Sequence, residues 1–104
     1  MLARKIVLLL TAALLAMPLS AHSPICDCFD NGDGSVTCEG GFSDGASAEG
    51  VDINVFASSG KMLVDGAMSA SSEFTFDMPD VDYLVVFDAG DGHTVEIDGR
   101  DIEE

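Results

Sequence analysis

The chain has 104 residues, four of them Lys or Arg and 19 Asp or Glu, for a net charge of -15. That length allows one small domain, not two. A chain this acidic cannot neutralise phosphates, which argues against nucleic acid and anionic membrane surfaces as partners.

The first 21 residues predict a secretory signal peptide. Arg4 and Lys5 form a short positive n-region, residues 6–17 are apolar, and Leu19-Ser20-Ala21 offers a small residue for cleavage. A dozen apolar residues fall short of the about 20 that a spanning helix needs, so no membrane insertion is expected after cleavage. A lipoprotein would carry Cys directly after Ala21, where this chain has His22. The expected product is a soluble, periplasmic domain of residues 22–104. It keeps all 19 acidic residues against Lys61 and Arg100, a net of -17 over 83 residues. So small a domain buries only about two thirds of its unfolded surface and has reason to use a disulfide or a metal as a staple.

Cys26, Cys28 and Cys38 flank the turn signal Asn31-Gly32-Asp33-Gly34, and export favours disulfides. A three-residue loop Gly32-Asp33-Gly34, with Gly34 left-handed, makes residues whose numbers sum to 66 face each other. Cys28–Cys38 is then the expected bridge, and the diagonal Cys26–Cys38 is the alternative. One thiol is left over. Cys26 shares a face with Cys28 and lies four residues from His22, so it is a thiolate joining a metal site at the His22 terminus, part of a redox-labile cluster, or a buried or intermolecular cysteine. Asp27, Asp30, Asn31, Asp33 and Ser35 invite a calcium reading, but no EF-hand frame fits them. A hairpin turn accounts for them.

Further turn signals follow at Gly40-Gly41, Ser59-Gly60, Met78-Pro79-Asp80 and Gly90-Asp91-Gly92, with a small, polar loop over 45–50. Between them Val51, Ile53 and Val55 alternate with Asp52 and Asn54. Phe74, Phe76 and Met78 alternate with Glu73, Thr75 and Asp77, and Val95 and Ile97 with Thr94, Glu96 and Asp98. This period of two predicts strands with one wet face. Residues 83–87 are apolar on both faces, as in a central strand. The prediction is all-β: a small antiparallel Ig-like β-sandwich of six or seven strands.

The string Gly41-Phe42-Ser43-Asp44-Gly45-Ala46-Ser47-Ala48-Glu49-Gly50-Val51, then Ile53-Asn54-Val55, Ser59-Gly60-Lys61, Glu73-Phe74-Thr75-Phe76 and Asp82-Tyr83-Leu84-Val85-Val86, resembles the carboxypeptidase regulatory-like (transthyretin-like) β-sandwich. The resemblance covers roughly residues 38–97 and implies that fold without catalysis of its own. Function then belongs to whatever site this copy carries.

Cleavage after Ala21 gives His22 an α-amine beside its imidazole, a two-nitrogen chelate suited to Cu(II), Ni(II) or zinc. The second histidine of the domain, His93, follows Asp91 by two residues. The set His22, Asp91 and His93 resembles the Cu(II) site of periplasmic copper-resistance carriers of the CopC family, and Cys26 is a candidate fourth ligand. Small transthyretin-like exported proteins are, by the same resemblance, associated with nickel or cobalt uptake, so copper and nickel or cobalt both stay open. Against these readings, His93 shares its strand face with Val95 and Ile97 and Asp91 lies in an ordinary turn. No Cys–His family signature is present, a domain of 83 residues has little room for a deep pocket, and no enzyme activity is expected. The reading is a periplasmic accessory protein that captures a divalent transition metal for an uptake or resistance system. The alternative is a metal-free β-sandwich interaction module docking on a cell-envelope partner through a sheet edge or acidic face.

Overall fold

The structure, a computed structural model, describes residues 22–104. The predicted signal peptide lies outside the described residues. The domain is all-β, with strands β1 (Pro24–Asp30), β2 (Ser35–Phe42), β3 (Asp52–Ala57), β4 (Met62–Ala67), β5 (Glu73–Asp77), β6 (Tyr83–Asp88) and β7 (Thr94–Asp98), then a 3₁₀ turn at Gly99–Asp101. Two antiparallel sheets form, β1-β2-β5 and β4-β3-β6-β7.

The β1–β2 hairpin keeps the expected register. Pro24 pairs with Phe42, Cys28 with Cys38, and Asp30 with Val36. Its turn is made by side chains that cap their own backbone. Asp30 Oδ1 accepts from Gly32 N–H at 2.8 Å, and Asp33 Oδ1 accepts from Ser35 N–H and its hydroxyl at 3.0 and 2.6 Å. Gly34 has φ of 90°, the left-handed conformation the loop requires. These bonds account for the acidic turn residues as a hairpin.

One expected turn is not a turn. Gly40 and Gly41 lie inside β2. A Cβ on Gly40 would stand 2.7 Å from the Phe87 ring and 2.9 Å from Met68 Cε. Gly is there because the facing sheet fills the place of its side chain.

β4 was not assigned from the sequence. Its inward row contains Gly66, whose Cβ would strike the Phe74 ring, and its Met62 and Leu63 are exposed. The apolar alternation that marks a half-buried strand is therefore absent. β4 returns on β3 through the Ser59-Gly60 turn, where Ala57 N–H donates to the Lys61 carbonyl at 2.8 Å. That hairpin gives three strands facing four.

The core lies between the sheets. Val36, Cys38 and Phe76 come from one; Ile53, Val55, Val85 and Phe87 from the other. In the larger sheet the register lines up Gly66, Ile53, Phe87 and Val95 in one row and Val64, Val55, Val85 and Ile97 in the next. Rings bridge the layers: Phe42 to Phe87 at 6.4 Å and Phe76 edge-on to Tyr83 at 6.1 Å. Burial of this apolar surface, at about 25 cal/mol per Å², is the main driving term.

The two sides of the sandwich differ. On one, the C-terminal tail covers β1, with Asp30 N–H donating to the Glu103 carbonyl at 2.8 Å. On the other, edge strands β4 and β5 stand apart. Between them opens a depression of about 670 Å³, lined by Leu63, Val64, Phe74, Phe76, Met78 and Val81 together with Asp77 and Asp80. Val81 is 54% exposed.

Candidate metal centre

His22 enters the fold by extending the first hairpin. Ser23 N–H donates to Ser43 Oγ, and Ser43 N–H to the Ser23 carbonyl, both at 2.9 Å. The register that pairs 23 with 43 sets His22 against Asp44. His22 Nδ1 lies 2.6 Å from Asp44 Oδ2, so the ring N–H donates to the carboxylate. The other oxygen, Oδ1, accepts from Ala46 N–H at 3.0 Å and fixes the carboxylate within its own turn. Asp44 was not singled out as a ligand from the sequence, yet the same sum of 66 points to it.

His93 comes from the β6–β7 hairpin. Its N–H donates to the Gly90 carbonyl at 2.9 Å, and its carbonyl accepts from Ala89 N–H at 3.0 Å. Its ring Nδ1 lies 2.8 Å from the main-chain oxygen of Asp91. A carbonyl can only accept, so Nδ1 carries the proton and Nε2 is left with a free lone pair. This is the arrangement by which a backbone carbonyl sets the tautomer of a ligating histidine. What Asp91 gives His93 here is a carbonyl, not a carboxylate.

His22 and His93 border the same shallow depression, about 310 Å³, with Phe42, Ala46 and Ala89 as its apolar floor. Strands distant in sequence meet here: the start of β1, the end of β2, and the turn between β6 and β7. The sandwich thus brings the two histidines to one end of the molecule.

Cys26 is placed elsewhere. It lies four positions along the extended chain from His22, about 13 Å of rise. It is 6% exposed in the core. Burial, with the charge of Asp27 adding, pushes its thiol up to about 11. The thiol therefore keeps its proton until an ion bound beside it displaces it, and its place in the core keeps it from the His22 end. Its neighbours are the other two cysteines. Cys28 and Cys38 form the expected disulfide, and Cys26 is free. Among the described residues, these three cysteines are the group of three or more His, Cys, Asp or Glu donors whose ligand atoms all lie within 4.8 Å of one another. His22, Asp91 and His93 do not converge to that distance in the intact chain.

No family model, curated protein or solved structure matches the chain.

Proposed function

We propose that the chain is an exported, periplasmic accessory protein that captures a divalent transition metal, copper or nickel/cobalt, with the amine and imidazole of its mature N-terminal His22. It would pass that metal to an uptake or resistance system of the cell envelope. The observation that carries this reading is the shared depression of His22 and His93. Within it a metal on the His22 chelate would displace the Nδ1 proton and meet Asp44 as an anionic donor. The free Nε2 of His93 would approach from the facing turn. Nitrogen and carboxylate donors of this kind suit Cu(II), Ni(II) or zinc over hard cations. The motifs that resemble transthyretin-like domains and copper-resistance carriers support the same reading.

While residues 1–21 are attached, the His22 nitrogen is a peptide nitrogen and offers no amine. The test is therefore a Cu(II) and Ni(II) titration of protein processed after Ala21, beside a control whose His22 amine is blocked by acetylation. Tight one-to-one binding that is lost or greatly weakened in the control is expected. Equal, weak binding by both forms would refute the chelate and leave the acidic surface as the binder.

A second reading has its own observation. The apolar depression between the edge strands β4 and β5 is the feature an interaction module needs. Photo-crosslinking residues at Leu63 and Val81 would capture an envelope partner if this reading holds. Capture there with no metal dependence would favour docking over metal delivery.

A further inference from the structure

The three cysteines carry an inference that stands apart from the His22 reading. Cys26 and Cys28 alternate on β1 and point to the same inner face, and Cys38 is the register partner of Cys28 on β2. All three sulfurs lie within 4.8 Å of one another. A disulfide needs two of them. The third is aimed at the pair from inside a dry core that also holds Met68 and Phe87. Bonds of about 2.3 Å from one ion to three thiolates set the sulfurs about 4 Å apart, which this cluster accommodates once the disulfide is open. Cys28 is the half-buried member, against 6% and 0% exposure for Cys26 and Cys38, so ions and protons enter on its side.

We infer that reduction of Cys28–Cys38 converts Cys26, Cys28 and Cys38 into a three-thiolate site for a thiophilic d10 ion such as Cu(I), a site that the oxidised chain does not offer. The steps balance. A dithiol reductant supplies two electrons and two protons, its own sulfurs join, and the protein disulfide becomes two thiols. The ion then forms three metal–sulfur bonds and displaces three thiol protons to solvent. Soft thiolates select Cu(I) or zinc and reject calcium and magnesium. The acidic surface therefore collects hard cations without filling this site.

The test uses protein processed after Ala21 with its His22 amine acetylated, which removes the terminal chelate. The protein is reduced anaerobically with a dithiol, freed of it by gel filtration, and titrated with Cu(I) held in a coloured competing chelator. One Cu(I) per chain is expected, with all three cysteines protected from alkylation in the mass spectrum and none taken up by the oxidised chain. Cys26→Ala should weaken binding at least about a hundredfold, since even an indirect contact to a metal is worth 10–100-fold. Circular dichroism of the reduced chain with and without Cu(I) follows the fold. Equal binding by Cys26→Ala, alkylation of Cys26 in the loaded chain, or a reduced chain that neither binds nor keeps its fold would each overturn the inference.

Discussion

Removal of the Cys28–Cys38 bridge gives a stability change that follows from its place in the hairpin. The bridge closes a loop with a sequence separation of 10. Loop-closure entropy for that length is about 9 cal/mol/K, or about 2.7 kcal/mol at 25 °C. Cys38 is fully buried, so replacing both cysteines by Ala adds a small packing loss of about 1 kcal/mol. An 83-residue domain has about 4–12 kcal/mol in all, so the loss is a large part of the whole. At about 4–8 °C per kcal/mol, Tm should fall by about 15–30 °C. Urea unfolding followed by circular dichroism measures it directly. The slope against urea should rise as well, because the uncrosslinked chain exposes more surface on unfolding. A loss under about 1 kcal/mol with an unchanged slope would refute the reasoning. It would mean that the Asp30 and Asp33 caps already close this hairpin in the unfolded chain.

Three further outcomes follow. The Cys26 thiol, raised from 9.0 to about 11 by burial, favours the fold only while protonated. Its contribution, about 2–3 kcal/mol at most, is whole below about pH 9 and lost as pH climbs toward 11; a Cys26→Ala variant should lack this alkaline loss in thermal melts across pH. On the outer face of the smaller sheet, Asp27, Glu39 and Glu73 pair across three strands. Glu39→Lys replaces two repulsions by attractions and should stabilise by about 0.5–1 kcal/mol, a gain that melts in high salt should erase. Gly40→Ala puts a methyl group 2.7 Å from the Phe87 ring and should cost about 1–3 kcal/mol in urea unfolding; no change would mean that the sheets part freely there.

What was legible in the sequence was local. A three-residue loop leaves a hairpin one register, so Gly32-Asp33-Gly34 determined every pair from Pro24–Phe42 to Asp30–Val36, and with them the disulfide. Alternation revealed β3, β5 and β7 for the same reason, since each has one face in the core and one in water. What depends on the facing sheet was hidden. Gly40 resembles a turn residue until the Phe87 ring is seen in the place of its side chain, and Gly66 hides β4 by leaving an inward slot blank for Phe74. The candidate site divides likewise. Asp44 was within reach of the hairpin rule, because 44 is the partner of 22. The approach of His93 to His22 was not, because it depends on how the β6–β7 turn meets the end of β2.

The charge of residues 22–104 bears on both metal readings in the same way. A net of -17 raises the local concentration of every cation, and that attraction does not choose among them. Choice has to come from donors of another kind: on the two proposals, the imidazoles and the processed amine at one end of the sandwich, or the three sulfurs inside it. Salt separates the two contributions. At about 0.15 M the Debye length is about 8 Å, which screens carboxylates spread over the surface but not atoms bonded to the ion. Binding that disappears on adding salt belongs to the acidic surface. Binding that survives it belongs to the chelate at His22 or, in reduced protein, to the thiolates. On either proposal the acidic surface would act as a collector whose captured ions only nitrogen or sulfur can retain.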